Sequence, residues 1–255
     1  MLRPRIIPVL LLKEDFLVKS VKFKNHSYIG DPLNAVKLFN DLKADELVFL
    51  DINASKNRTV VSFNLIKEIG EEANMPFSVG GGINSLNQIE NLIKAGAERV
   101  IIGNEAVVNP EFINSASKTF GSSTITVCID VKKSLFGKEL IYSLNGRTAH
   151  KYNLEHFAKL MEQNGAGELI VQSIEKDGMM TGYDKELVKK ITDYVTVPVV
   201  ALGGAGNYNH LKDMYSFCKV RGIGSGSTFI YQSDMKGVLI NYPTSKEKKA
   251  IYEQY

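Results

Sequence analysis

Short apolar runs alternate with longer amphipathic stretches from one end of the chain to the other. The runs are RIIPVLLL (5–12), ELVFLDI (46–52), FSVG (77–80), RVII (99–102), TITVCID (124–130), ELIVQSI (168–174), VVAL (199–202) and GIGSGS (222–227). Between them, DPLNAVKLFNDLKA and SLNQIENLIKAG place apolar residues three and four apart, as on one face of a helix. Asp31 ahead of Pro32 signals a helix start, and Gly96 after Lys94 a stop. Eight strands, mostly followed by helices, imply parallel pairing. The pattern therefore predicts an α/β fold, a single (β/α)8 TIM barrel rather than an open sheet.

The pattern also repeats. ELVFLDI at 46–52 returns as ELIVQSI at 168–174, and FSVGGGI at 77–83 returns as VVALGGA at 199–205, each displaced by 122 residues. Two matches at one displacement predict a duplicated half-barrel. The halves would cover about 1–122 and 123–243, with a tail over 244–255, inside a single domain over 1–255.

At 255 residues, 44% hydrophobic and 23% charged, the chain has a globular composition and a comfortable length for one such barrel. A formal charge of +3 gives no reason to expect nucleic acid. Basic clusters such as Lys19, Lys22 and Lys24 are expected on a solvated face. The run Ile6 to Leu12 contains Pro8, is too short to cross a bilayer and precedes no small-residue cleavage site, so neither membrane insertion nor secretion is expected. Cys128 and Cys218 have no metal-ligand spacing and read as reduced thiols in a cytoplasmic protein; no metal and no cofactor is predicted.

In this fold, chemistry gathers where the strands end and the βα loops begin. Four segments there are rich in glycine: Gly80 to Gly82, Asp177-Gly178, Gly203 to Gly206 and Gly224 to Ser227. Glycine lets backbone N–H groups approach an anion closely. Gly178, Gly204, Gly226 and Ser227 come from the late strands and would form one phosphate cradle, with Gly82 in a second cradle across the mouth. One ligand with a phosphate at each end would fit both; tight turns are the other reading. Asp130 ends the fifth strand and Asp51 the second, and each is a general acid/base candidate, a loop cap or a partner for Lys132 or Lys19. Asp177 reads as a loop-shaping residue. His26, His150, His156 and His210 all lie away from strand ends, so a histidine base is not expected. At the opposite face Arg5, Glu46, Arg99 and Glu168 start strands one, two, four and six. They would form an ion-paired ring, either a stabilising plug or a gate to an axial passage.

Taken together, RIIP, Lys19 in the first loop, DELVFLDI, PFSVGGGI, CID ending at Asp130, GAGE, SIEKDGMMTGYD and GGAG resemble the HisF family along nearly the whole chain. HisF proteins are the cyclase subunits of imidazole glycerol phosphate synthase. The resemblance implies a HisH-like glutaminase partner at the barrel's N-terminal face. Ammonia from that partner would pass the gate matched by Arg5, Glu46, Arg99 and Glu168 and meet a two-phosphate ribonucleotide on the far face. It assigns phosphate contacts to Gly82, Gly178, Gly204, Gly226 and Ser227, and acid/base work to aspartates ending strands one and five.

Asp130 supplies the second aspartate, but Leu11 stands at the position of the first. Loss of a general acid or base forfeits roughly 10²–10⁴-fold in rate. Gly103-Asn104 replaces the family's Asn-Thr/Ser pair, Leu202 replaces a small polar residue before the glycines, and the tail does not look like the family's last helix. IPVLLLK with the late INYP looks like a paralogue group found with surface-polysaccharide genes. That resemblance implies ammonia delivery to an N-acetyl sugar amidotransferase, for amidination of the sugar. The alternatives are a histidine-pathway cyclase (a lyase) that uses Asp51 or water in place of the lost acid, and a free-standing phosphosugar isomerase on the same barrel.

Overall fold

The computed structural model describes residues 3–134, 136–218, 220–232 and 237–252; the last three residues of the predicted tail, 253–255, lie outside them. The eight apolar runs form eight strands: β1 (Arg5–Lys13), β2 (Leu47–Asp51), β3 (Phe77–Gly80), β4 (Arg99–Ile102), β5 (Ile125–Lys133), β6 (Glu168–Ser173), β7 (Val199–Leu202) and β8 (Gly222–Ser225). Each pairs in parallel with the next, and β8 pairs with β1 (Arg5 opposite Gly222), which closes the barrel. β8 is shorter than predicted because the chain leaves the sheet after Ser225 and tightens into a 3₁₀ turn over Ser227–Phe229.

Among the described residues eight helices of eight residues or more follow the eight strands: α1 (Pro32–Asp41), α2 (Phe63–Glu72), α3 (Leu86–Lys94), α4 (Glu111–Phe120), α5 (Leu154–Gln163), α6 (Lys185–Thr192), α7 (Tyr208–Phe217) and α8 (Ser245–Tyr252). Six start on a side-chain cap: Asp31, Ser62, Ser85, Asn153, Asp184 and Asn207 each accept from the backbone N–H three residues on. Such a cap is worth about 1 kcal/mol. The starts Pro32 and Leu154, Phe63 and Lys185, and Leu86 and Tyr208 are separated by the same 122 positions as the sequence echoes. α8 lies within the predicted tail over 244–255. Just ahead of it, the Tyr242 hydroxyl donates to the Ile6 carbonyl (2.8 Å) and accepts from the Asp45 N–H (3.0 Å), which pins the end of the chain to β1.

Alternation along the strands sorts side chains into two cores. Ile6, Leu10 and Leu12 face the helices, whereas Ile7, Val9, Val48, Ile101, Ile170, Val200 and Leu202 fill the barrel's interior. Two β-ribbons cross the top face. β1 turns at Glu14 and Asp15, both with positive φ, into antiparallel strands Phe16–Val21 and Lys24–Gly30; β5 continues into Glu139–Ser143 and Thr148–His150. Among the described residues no helix is long and apolar enough to cross a membrane.

Candidate active site

The period of two that points Ile7 and Val9 inward also points Leu11 inward, into a cavity of about 380 Å³ at the top of the barrel. Asp51, Gly82, Asn104, Asp130 and Ser143 share its wall. An aliphatic side chain and a carboxyl group on β1 and β5 thus line one space.

Asp130 stands over the barrel's interior with the Cys128 thiol donating to its Oδ1 (Sγ to Oδ1 3.6 Å). Burial pushes its carboxyl up to about 7, Asp177 adds to the rise, and the thiol's hydrogen bond opposes it. The Cys128 thiol is itself raised well above its usual range, first by burial and then by Asp130. Cys128 and Cys218 are both buried and free. Asp51 caps its loop, one of the roles foreseen: its Oδ1 accepts from the N–H groups of Asn53 (2.8 Å) and Ala54 (3.0 Å), and it also faces the cavity. Burial raises its carboxyl and these two bonds lower it.

Asp177 shapes more than its own loop. Its Oδ2 accepts from the Ser20 hydroxyl (2.7 Å) and the Phe23 N–H (3.3 Å), which ties the first ribbon to the loop after β6. Burial again raises the carboxyl. Gly178, Gly226 and Ser227 come together around a second, smaller cavity. Gly204 stands just behind them, its carbonyl accepting from the Gly182 N–H (2.8 Å). Gly82 lies across the mouth, in the larger cavity, at φ +68°, where a Cβ would sit 1.9 Å from the Thr59 carbonyl oxygen.

Lys19 corrects the expectation of a solvated basic face. Lys22 and Lys24 are exposed, but Lys19 is only 6% exposed. It points inward from the ribbon, and its Nζ donates to the Val9 carbonyl (3.2 Å) inside the smaller cavity. Burial lowers its pKa to about 8, against the pull of Asp177.

Other cavity residues were not singled out by the sequence. The Ser143 hydroxyl is 2.7 Å from His150 Nε2; against expectation His150 stands at a strand end, that of Thr148–His150 in the second ribbon, and it reaches the cavity through the serine. Arg58 and His26 line the same wall, and burial, with Lys13, lowers the His26 pKa. The signal for Ser143 and His150 was the Asn145-Gly146 pair, a hairpin dipeptide.

The four charged residues at the strand starts do meet on the barrel floor. Arg5 contacts Glu46 (2.5 Å) and Glu168, and Arg99 lies 3.6 Å from each glutamate. The glutamates are almost fully buried and the arginines about a quarter exposed. Burial works against the Arg5 charge, but the two glutamates outweigh it and raise its pKa; burial raises Glu168 despite both arginines. Glu46 also accepts from the Ser78 hydroxyl (2.8 Å). Directly above the ring is a small cavity of about 10 Å³, room for one water or one ammonia. Ser78 and Thr126 offer it hydroxyls, and the Thr126 hydroxyl has no partner among the described residues. Apolar side chains, Ile7, Val48, Ile101, Ile170 and Val200 among them, line most of its wall, and Ile101 also borders the large top cavity.

Comparison with known proteins shows the family. The family described as "Histidine biosynthesis protein" matches residues 5–236. A Leptospira borgpetersenii protein named "Putative imidazole glycerol phosphate synthase subunit HisF" is 42% identical over 253 residues, covering 99% of this chain and 100% of the relative. The imidazole glycerol phosphate synthase subunit HisF of Petrotoga mobilis is 41% identical over 216 residues (84% of this chain, 86% of the relative). That of Streptococcus mutans is 34% identical over 231 residues (91% and 92%).

Proposed function

The chain belongs to the histidine biosynthesis protein family, as a member of its HisF branch, and on that premise we propose that it is the synthase subunit of a glutamine amidotransferase. In this reading a HisH-like glutaminase docks on the floor, and ammonia moves along the barrel axis to the top cavity. One observation carries it: the ring of Arg5, Glu46, Arg99 and Glu168 closes one end of an apolar axis whose other end opens beside Asp130.

The physics sets the form of the cargo. An ammonium ion would lose its hydration among Ile7, Val48, Ile101, Ile170 and Val200, at a cost far above that of neutral ammonia. The floor ring carries two positive and two negative charges and so has no net pull on either form. Ser78 and Thr126 can hydrogen-bond a single ammonia before the apolar layer. At the top, attack by ammonia on an electrophilic carbon leaves a proton on nitrogen to be removed. Asp130, with its pKa near neutrality, can accept that proton and return it to a departing oxygen.

Two acceptors fit this scheme. The names of the relatives speak for imidazole glycerol phosphate synthase, hence for cyclisation of a two-phosphate ribonucleotide, and they lend no support to a sugar. Leu11 favours the second reading, delivery of ammonia for amidination of an N-acetyl sugar in surface-polysaccharide synthesis, since the cyclase chemistry implied by the family calls for an acid there. The deciding experiment supplies the purified chain with ammonium salt and the two-phosphate ribonucleotide. Turnover that Asp130→Asn abolishes establishes the cyclase. Silence from the wild type, with activity gained by Leu11→Asp, establishes that the acid was lost from a site still able to bind that ligand.

A further inference from the structure

The second ribbon carries chemistry that neither acceptor proposed above uses. Ser143 lies opposite Thr148, and His150, two residues further along its strand, shares the same face of the ribbon. That diagonal brings the Ser143 Oγ to 2.7 Å from His150 Nε2. Ser143 is only 4% exposed and forms part of the wall of the cavity of about 380 Å³. For its hydroxyl to donate, Nε2 must be the bare nitrogen of a neutral ring, with the ring proton on Nδ1. The imidazole stacks on the Tyr152 ring, with 6.4 Å between centroids and 20° between planes. Tyr152 is fixed in turn: its hydroxyl donates to the Val107 carbonyl (3.2 Å), and its ring packs on Phe157 at 5.1 Å. Leu144 and Asn145 turn the chain between the two strands in left-handed conformations (φ +50° and +57°), and Asn145 also lines the cavity. Its carboxamide has no hydrogen-bond partner among the described residues, which leaves its N–H groups for an oxygen atom of a ligand.

We infer that Ser143 is a nucleophile activated by His150, and that the top cavity takes a short-chain acyl ester. The parts that acyl transfer requires stand together: a hydroxyl, a base hydrogen-bonded to it, a ring that orients the base, and an amide donor for the developing oxyanion. In the first step the Ser143 Oγ bonds to the ester carbonyl carbon while its proton passes to His150 Nε2. Collapse of the tetrahedral adduct breaks the bond to the alcohol oxygen, and the alcohol departs with that proton. Water then attacks the acyl carbon and gives a proton to His150 Nε2, which returns it to the Ser143 Oγ as the acid leaves. The sum is ester plus water giving acid plus alcohol, with both residues restored. Leu11, Leu50 and Ile101 in the same wall suit a short alkyl chain. This activity goes beyond the reading of the chain as a synthase subunit and needs neither ammonia nor a glutaminase.

The full chain is mixed with p-nitrophenyl acetate, release of p-nitrophenolate is followed by absorbance, and the acetyl group is located by peptide mass mapping of acid-quenched protein. Wild type should release p-nitrophenolate and carry acetyl on Ser143. Ser143→Ala and His150→Ala should each lower the release by about 100-fold or more, the low end for loss of a general base. Asn145→Ala should lower it by about tenfold or more, less than for an enclosed oxyanion donor because this cavity is open. Acetyl confined to other groups, with Ser143 unmodified in the wild type, would overturn the inference. So would release that Ser143→Ala or His150→Ala leaves within about twofold of wild type, the result expected of a hydrogen bond that merely satisfies a buried hydroxyl. The position of the acetyl group in the wild type decides the matter even where a variant does not fold. The ammonia reading is untouched by any of these results, since stimulation of a glutaminase tests it separately.

Discussion

Asp130→Asn removes the β5 carboxylate from the cavity where ammonia would arrive, and its effect on stability can be worked out before any substrate is known. In the unfolded chain Asp130 titrates near its ordinary value of 3.8, whereas in the folded protein burial raises it to about 7. The folded state therefore binds its proton more tightly. The contribution of Asp130 to stability is complete below pH 3.8 and is lost as the pH rises through 7. At 1.36 kcal/mol for each unit, the full cost of holding the ionised group at pH 8 is roughly 4 kcal/mol. Asp130 borders the open cavity, and water there lowers this figure, so about 2–4 kcal/mol is expected. Asparagine keeps the shape and carries no charge. Urea unfolding at pH 5 and pH 8 should show the variant more stable than wild type by that amount at pH 8, with the difference shrinking toward pH 5. Equal stabilities at pH 8, or a gap that does not change with pH, would refute the claim that burial sets the protonation of this group.

Two further substitutions probe the remaining parts of the frame. Gly82→Ala forces a Cβ to within 1.9 Å of the Thr59 carbonyl at a φ of +68° and should cost more than about 2 kcal/mol in urea unfolding; a loss below about 0.5 kcal/mol would show that the loop yields freely. Arg5→Ala leaves Glu46 and Glu168 buried beside Arg99 alone, at 3.6 Å, and should cost about 3 kcal/mol, the low end for a broken buried pair since Arg5 is partly exposed. Glu168, buried and without Arg5, favours its protonated form, so the loss should be larger at pH 8 than at pH 5, and a loss independent of pH would count against the ring as an electrostatic unit.

The barrel was legible because its strands are buried on both sides and therefore read as unbroken apolar runs, and because Asp31-Pro32 and Gly96 punctuate the helices between them. The floor ring was legible for a related reason, since Arg5, Glu46, Arg99 and Glu168 each stand at the edge of such a run. The ribbons were not. Phe16–Val21 and Lys24–Gly30 are joined through Lys22 and Phe23 in left-handed conformations, without the glycine or asparagine that marks such turns, so the segment read as a loop and Lys19 as surface. Burial of a lysine depends on the fold around it, here the loop of Asp177 and the β8 turn at Gly226, and nothing within the local sequence of Lys19 encodes that. The pairing of Ser143 with His150 was hidden in the same way, although Asn145-Gly146 between them was a readable turn. Leu11 was visible as an apolar residue where an acid was expected, and the alternation along β1 turns it into the cavity.

The account stands or falls on ammonia entering through the floor, and the most direct measurement is the rate of glutamine hydrolysis by a HisH-like glutaminase titrated with this chain. The rate should climb and saturate at one chain per glutaminase, and Arg99→Glu, which reverses one charge of the ring, should abolish the rise while the barrel remains folded. A glutaminase rate indifferent to the chain, or a stimulation that survives Arg99→Glu unchanged, would contradict it.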